Sequence, residues 1–466
     1  MESQSWTAVS VFVFVTLALA LSLLIFQNTA FNVISFPIEE PKAIKHKTSS
    51  ASSSNEGNTI IPSSPSPQHP NTASHNDCIN YNPSKITITI SCNSPARLTD
   101  IYNKLHDSNI LAKQSTNGEW FLNANLVIAK GATFQIDSTD TKWLKISSKV
   151  TRSSTDDGSS GSSIRPAYWI DVHGSLKIDS VKITSWDPTT NYYSVTNGSR
   201  TGSDVFIYGA PRPCIVVENN ATGTTDITNS EIAYLGYEQG KHKGGSGLSY
   251  YYGGDGSVIK NNIIREVYFG LYTFGVGHMI VENNIIRNSG HYGLDPHTGT
   301  HDMIIRNNEV YNNNGSGIIC SLDCYNILIE NNMVHDNVGP GIMFSRNMYN
   351  SIVRNNLVYN EDKGIFVSAS HNNQITNNTI SKSRDGIHVG SDSSNNNISG
   401  NTITDSISHA ILINSGSSGN NFSANKIISS TPTGLKINQD STAKNNIFSN
   451  NQINRSSNAA GTAAPD

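Results

Sequence analysis

A short block of asparagine and aliphatic residues recurs along most of the chain. It reads NNIIR at 261 and 283, NNEVY at 307, NNMVH at 331 and NNLVY at 355, and it continues more loosely at 377, 400, 424 and 450. Eight or nine residues after the second position of a block, a small residue precedes an aliphatic one, as in Gly293 with Leu294. The blocks follow one another at 22–26 residues. A period of this length indicates stacked repeats.

The repeat predicts an all-β chain folded as a right-handed parallel β-helix. Leucine-rich repeats have a similar period, but their leucine consensus and helical segment do not occur in this sequence. Each unit has short strands separated by turn residues, so every coil can bury its aliphatic positions against the coils above and below. Asparagines at one fixed turn position are expected to stack as an interior ladder of side-chain amides.

Composition changes before and after the repeats, which predicts the domain boundaries. Residues 8–26 form a run without a charge, so residues 1–27 are interpreted as a signal peptide or a transmembrane anchor. Residues 28–77 are predicted to be a Ser/Pro-rich disordered linker. Residues 78–124 should form an N-terminal cap with one short helix in SPARLTDIYNKLHD, residues 125–455 the β-helix, and residues 456–466 a disordered tail.

Charge and cysteine content exclude some classes of function. A net charge of −4, with only 15% charged residues, gives no basic surface for nucleic acid. The five cysteines leave at least one outside any intrachain pair. Cys78 with Cys92 and Cys320 with Cys324 are candidate disulfides, and the alternative is that all five are small buried residues. No CxxC pair occurs, so a zinc–thiolate site is not expected.

The segment HYGLDPHTGTHD, residues 291–302, concentrates titratable groups within the repeats. Alternation along the strand after Gly293 places Leu294 inward, in a column with Ile318, Ile342 and Ile365, and places Asp295 and His297 outward. The three outward columns are expected to carry aromatic residues, small hydroxyls and a cation. The first column is Phe274, His297, Ser321, Ser345 and Ser368; the second is Tyr272, Asp295, Ile319, Met343 and Phe366; and the third is Gly275, Thr298, Leu322, Arg346 and Ala369. Such a face suits a groove for sugar rings.

The motif YGLDPH at 292–297 resembles the signature of mannuronan C5-epimerases, which convert mannuronate to guluronate within alginate. SEIAYLGYE, YFGLYTF and SGIICS also resemble the periplasmic β-helix epimerases, and the likeness runs over roughly residues 115–370. The resemblance implies a right-handed parallel β-helix, an isomerase activity on an anionic uronate polysaccharide, and a role for His297 as one acid/base partner and Tyr292 as the other. It implies that Asp295 orients or polarises His297.

The resemblance also implies substrate-binding residues. The family places an arginine after GIIxS, where this chain has Leu322, and Arg346 occupies the same column one coil further on. Two strand spacings, roughly 10 Å, separate Arg346 from His297, so Arg346 either reaches back or holds the carboxylate of the neighbouring sugar. Lys243 lies near a family lysine, and Lys241 competes for that alignment. Tyr272, Phe274 and Ser321 are expected to line the groove.

Two other functions fit the same residues. A polysaccharide lyase abstracts the same C5 proton and then eliminates the 4-O-linked sugar, and a non-catalytic surface β-helix could bind glycans. A glycoside hydrolase is disfavoured because it needs two carboxylates across the groove. No cofactor is required and no metal ligand is assigned, although calcium remains an option. The protein is expected to be an exported monomer, extracellular or periplasmic, and either secreted or attached to a membrane through residues 8–26.

Overall fold

The computed structural model describes residues 77–148, 168–195, 212–237 and 245–456. Across these residues the chain winds into a right-handed parallel β-helix with three long sheets, as the repeat predicts. No helix in the described part of the chain is long and apolar enough to cross a membrane. The predicted anchor at 8–26, most of the linker at 28–77 and nearly all of the tail at 456–466 lie outside the described residues.

Sheet 1 carries the motif with the histidines. Its strands are β1 (Ile79–Asn82), β2 (Thr87–Ile90), β5 (Asn125–Ile128), β8 (Trp169–Val172), β11 (Cys214–Val217), β14 (Gly247–Tyr251), β17 (Phe269–Phe274), β20 (Leu294–His297), β23 (Ile318–Ser321), β26 (Ile342–Ser345), β29 (Lys363–Ser368), β32 (Asp385–Gly390), β35 (His409–Ile413) and β38 (Ile437–Gln439). Only the first pair, β1 with β2, is antiparallel.

Sheet 2 follows the same order of coils. Its strands are β3 (Leu111–Ser115), β4 (Glu119–Leu122), β7 (Trp143–Ser147), β10 (Lys182–Trp186), β13 (Glu231–Ala233), β16 (Ile263–Arg265), β19 (Ile285–Arg287), β22 (Glu309–Tyr311), β25 (Met333–His335), β28 (Leu357–Tyr359), β31 (Thr379–Ser381), β34 (Thr402–Thr404), β37 (Lys426–Ser429) and β40 (Gln452–Arg455). Here too the first pair, β3 with β4, is antiparallel, so hairpins begin two of the three sheets.

Sheet 3 closes each coil. Its strands are β6 (Thr133–Asp137), β9 (Ser175–Asp179), β12 (Thr225–Thr228), β15 (Val258–Lys260), β18 (Ile280–Glu282), β21 (Ile304–Arg306), β24 (Leu328–Glu330), β27 (Ile352–Arg354), β30 (Gln374–Thr376), β33 (Asn397–Ser399), β36 (Asn421–Ser423) and β39 (Ile447–Ser449). The predicted short helix is α1 (Leu98–Leu105), and a 3₁₀ turn spans Thr433–Leu435.

The core is one column of aliphatic side chains along the axis. Leu294 pairs with Ile318, Ile318 with Ile342, and Ile342 with Ile365, and all four are buried as predicted. The glycine before each of them is also required by packing. A Cβ added at Gly293 would lie 2.5 Å from the carbonyl oxygen of Gly317, so no side chain fits there.

The two asparagines of each block have different structural roles. The first adopts a left-handed backbone, with φ of 56° at Asn283 and 56° at Asn307, which turns the chain into the next strand. The second is buried, and its amide nitrogen donates to the amide oxygen of the next coil. This ladder is continuous through Asn262, Asn284, Asn308, Asn332, Asn356, Asn378, Asn401, Asn425 and Asn451. The predicted interior ladder is therefore confirmed.

A second interior ladder ends on a carboxyl group. Asn313 donates to Asn337 at 2.9 Å, and Asn337 donates to Glu361 at 2.8 Å. Burial raises the pKa of Glu361 to about 9, and the hydrogen bonds from Asn337 oppose this. Cys78 and Cys92 form a disulfide, whereas Cys320 and Cys324 are buried free thiols, so the second candidate pair does not form.

Candidate active site

Strand β20 carries the centre of the motif. Its residues alternate, so Leu294 enters the core while Asp295 and His297 take the outward positions. The register gives the predicted column, because His297 pairs with Phe274 on one side and with Ser321 on the other. Ser321 pairs with Ser345 in turn. The outward face therefore has the composition that alternation predicted.

The imidazole of His297 is held by two neighbours. Nδ1 lies 2.5 Å from Oγ1 of Thr298, and Nε2 lies 3.2 Å from Nη2 of Arg346. Because a guanidinium only donates, Nε2 must be the acceptor, and in the neutral ring Nδ1 carries the hydrogen that is donated to Thr298. The rings of Tyr272 and Phe274 flank the imidazole at centroid distances of 5.7 and 6.0 Å. The unprotonated nitrogen thus faces the cation.

The surroundings of His297 favour its neutral form. Burial lowers the pKa of His297, and the positive charge of Arg346 lowers this pKa further. Both causes act against the imidazolium, because a buried cation loses hydration and a nearby like charge repels it. His297 is therefore a neutral base near neutral pH.

Arg346 reaches back across two coils to the motif. It lies in the turn after β26, with φ of 58°, and its Nη2 donates to Oγ of Ser321 at 3.0 Å as well as to His297. Of the two arrangements that the sequence left open, the side chain adopts the one that approaches His297. The charge of Arg346 also lowers the pKa values of Tyr272, Tyr292 and Asp295, although burial raises each of them more.

Asp295 is 2% exposed although it alternates outward, so the neighbouring groove side chains cover it. Burial raises the pKa of Asp295 well above its usual value, and Arg346 opposes this. Its Oδ1 has no hydrogen-bond partner, and the imidazole of His297 bonds to Thr298 and Arg346 instead. The resemblance implied that Asp295 orients His297, and in this arrangement no direct bond joins the two.

Tyr292 lies two residues before β20 begins. Its ring lies 5.6 Å from the ring of Phe269 and packs over Gly315, where an added Cβ would be 2.6 Å from the tyrosine ring. Burial raises the pKa of Tyr292, and the charge of Asp295 raises it further. The phenol therefore stays protonated in the pH range where His297 is a free base.

The structure gathers most of the predicted site residues around one point. His297, Arg346 and Ser321 are joined by hydrogen bonds, and the rings of Tyr272 and Phe274 lie beside them. Lys243 and its competitor Lys241 lie outside the described residues. The sequence placed Thr298 in an outward column but did not predict the contact of its hydroxyl with His297.

Tyr251 was also missed. It pairs with Phe274 in register, and its ring lies 5.6 Å from Tyr272 and 6.1 Å from Phe274. The signal for it was available, because extending the column of His297 and Phe274 by one coil leads to the end of β14. The aromatic wall of the groove is therefore one coil longer than predicted.

The last two titratable residues of the motif leave the groove face. His301 and Asp302 lie at the corner between sheet 1 and sheet 3, where Nδ1 of His301 is 2.8 Å from Oδ2 of Asp302. The imidazole of His278 from the preceding coil lies beside them, with the two histidine rings 5.6 Å apart. The motif therefore contributes to two separate clusters.

Solved structures share this architecture. The periplasmic alginate epimerase AlgG superposes with a TM-score of 0.63 at 20% identity, over 78% of this chain and 84% of that chain. A double mutant of AlgG gives a TM-score of 0.64 at 21% identity, over 79% and 85% of the two chains. Identities this low show a common fold. No curated protein matched the sequence.

A protein family also matches the repeats. The family described as periplasmic copper-binding protein (NosD) matches residues 217–398 and again residues 347–464, which together span more than half of the 466 residues. The two matches overlap, as expected where one coil resembles the next. They include the strand with His297 and the corner with His301. The chain belongs to the family that is described in this way.

Proposed function

We propose that this protein epimerises uronate residues at C5 within an anionic polysaccharide, mannuronate to guluronate in alginate or a similar envelope glycan. The observation that carries the proposal is the pair of groups on either side of Asp295, with a neutral imidazole at His297, the last residue of β20, and a protonated phenol at Tyr292, just before that strand. Environments that separate the pKa values of two groups in this way mark a base and an acid. The resemblance of YGLDPH to the epimerase signature supports the same pair.

Tyr292 and His297 stand on either side of Asp295 in the sequence. His297 ends β20 and Tyr292 precedes it, and the charges of Asp295 and Arg346 both act on the pKa of Tyr292. A polymer that follows the helix axis crosses the strand between them. A uronate above Asp295 then presents one face to His297 and the other to Tyr292, as inversion at one carbon requires.

The reaction has two proton transfers. Nε2 of His297 takes the C5 proton, and the electron pair of the C–H bond moves into the carboxylate of the sugar. The phenol of Tyr292 then gives its proton to C5 from the other face. The resulting phenolate and imidazolium return to their starting forms by proton exchange with water, so no oxidant or cofactor is consumed.

Arg346 supplies the charge that the intermediate needs. Removal of the C5 proton places additional negative charge on the sugar carboxylate, and a fixed cation stabilises that charge. Arg346 is within hydrogen-bond distance of the nitrogen that takes the proton, so a carboxylate bound there would replace its contact with His297. In the proposed complex Oδ1 of Asp295, which has no partner, pairs with a sugar hydroxyl.

The same proposal includes the compartment. A polymer of the envelope lies outside the cytoplasm, and both the family description and the name of AlgG place those proteins in the periplasm. We propose an exported monomer, secreted or attached to a membrane through residues 8–26. Lys243 is proposed to approach the substrate carboxylate.

Proton NMR of poly-mannuronate incubated with the protein in heavy water tests the function. Epimerisation gives guluronate signals with deuterium at C5, because the second proton comes from the solvent-exchanged phenol. A lyase gives signals from unsaturated chain ends, and a protein that only binds the polymer gives neither. Unsaturated ends or an unchanged spectrum would contradict the proposal, provided that binding of the polymer is demonstrated in the same sample.

A further inference from the structure

One corner of the β-helix has an unusual composition in two adjacent coils. The residue that turns the chain from sheet 1 into sheet 3 has a left-handed backbone, and in five coils it is asparagine, namely Asn326, Asn350, Asn372, Asn395 and Asn445. In the coils around the candidate active site the same position is His278 and Asp302, with φ of 59° and 51°. Asparagine tolerates this backbone well, so folding alone does not require a histidine or an aspartate there.

His301 lies immediately before Asp302 and completes the cluster. The ring of Tyr325 stacks on the imidazole of His301, with the ring centroids 5.0 Å apart and the ring planes at 10° to each other. On its other side Gly277 has no side chain, and a Cβ there would be 2.6 Å from Cε1 of His301. The imidazole can therefore lie over the backbone and approach His278.

The cluster offers three metal-binding atoms. One ligand atom each from His278, His301 and Asp302 can be chosen so that all lie within 4.8 Å of one another. The side-chain amide of Asn326 donates a hydrogen bond to Oδ1 of Asp302 at 3.1 Å, which orients the carboxylate. Within the described residues no other group of three His, Cys, Asp or Glu side chains brings its ligand atoms together in this way.

We propose that His278, His301 and Asp302 bind a divalent transition metal ion, and that Cu²⁺ binds most tightly. Two imidazole nitrogens and one carboxylate oxygen are suitable ligands for Cu²⁺. The affinity of such a site for divalent first-row metals increases along the series up to Cu²⁺. The family is described as copper-binding, and these residues fit that metal on their own chemistry. The ion would join two adjacent coils at the corner that follows β20.

The proposal is independent of the epimerase activity, so its test does not measure turnover. Cu²⁺ is titrated into the full-length protein by calorimetry, and the bound ion is examined by electron paramagnetic resonance. His278→Asn and Asp302→Asn each remove one ligand and install the residue that other coils use at this corner, so both variants should fold. His371→Asn is the matched control, because His371 occupies the position of His301 in a coil whose corner residue is Asn372.

The wild type and the control should bind one more equivalent of Cu²⁺ than the two ligand variants. Loss of a second-shell partner typically weakens a metal site 10–100-fold, so loss of a ligand should weaken it at least about tenfold. Nitrogen hyperfine lines from two imidazoles should appear in the wild type and decrease in His278→Asn. Zn²⁺ in place of Cu²⁺ should bind the same site more weakly. Unchanged stoichiometry and affinity in both ligand variants would overturn the proposal, and so would an equal loss in His371→Asn.

Discussion

Nη2 of Arg346 lies 3.2 Å from Nε2 of His297, although 49 residues separate the two in sequence. The contact crosses two coils, and Ser321 of the intervening coil accepts a second hydrogen bond from the same nitrogen at 3.0 Å. A cation this close to a half-buried imidazole affects both how the ring is protonated and where a carboxylate can bind. The predictions for His297 and Arg346 depend on this arrangement.

His297→Gln should reduce turnover of the polymer by about a hundred- to ten-thousand-fold, the range typical of a lost general acid or base. Binding should change little, because glutamine retains a polar group at a groove position. Steady-state turnover and polymer affinity are measured together, with His371→Gln as the control. Full activity in His297→Gln would show that the proton is transferred by another group.

Tyr292→Phe should lower turnover while leaving polymer affinity within about twofold of the wild type. The ring and its packing over Gly315 are retained, so only the hydroxyl is lost. Exchange of the C5 proton with deuterium should persist, because His297 can still remove the proton when its return from the other face is blocked. Tyr349→Phe is the matched control. If it lowers turnover equally, the effect does not arise at the proposed acid.

Arg346→Gln should move the acidic limb of the kcat/KM profile to higher pH. His297 must be unprotonated to act, so activity falls as the pH drops through its pKa, which burial and the charge of Arg346 hold below 6.5. Removing the charge raises this pKa towards 6.5, while burial still keeps it below that value. Arg346→Lys retains a positive charge and should leave the limb close to its wild-type position. The pH dependence of kcat/KM is measured for the wild type and both variants. An acidic limb at the same pH in all three proteins would argue against His297 as the base.

Glu361→Gln should stabilise the fold at alkaline pH. The folded state holds the pKa of Glu361 at about 9, above its ordinary value of 4.5. Its stabilising contribution is therefore complete below about pH 4.5 and is lost as the pH rises towards 9. The Tm of the wild type should consequently fall more than that of the variant between pH 5 and pH 9. Glu309→Gln, on the outer side of sheet 2, provides the comparison, and it should follow the wild type.

Asn332→Ala should cost about 2 kcal/mol or more, because it leaves buried partners without hydrogen bonds on both sides of the ladder. Asn451→Ala, at the partly exposed end of the same ladder, should cost less because water can replace its bonds. Urea unfolding compares the two variants with the wild type. Equal losses would contradict the expectation that burial determines how much each asparagine of the ladder contributes.

Sequence reasoning succeeded where the period determines the answer. The column of Leu294 and the column of His297 follow from alternation and a repeat length, and the register agrees with both. It failed where side-chain torsions or burial determine the answer. The spacing of strands left the reach of Arg346 open, and alternation could not indicate that Asp295 is covered by its neighbours.

The coil-by-coil register also has a consequence for how the gene can vary. Each coil presents nearly the same surface to the coil on either side, so a duplicated coil inserted after Ser391 would meet matching neighbours and lengthen the groove. The same insertion between Ser321 and Ser345 would move the guanidinium of Arg346 one strand spacing further from His297 and break their contact. Tandem duplication can therefore change the number of sugars the groove covers on either side of the reacting centre, while the three coils from Leu294 to Arg346 must be inherited as a unit.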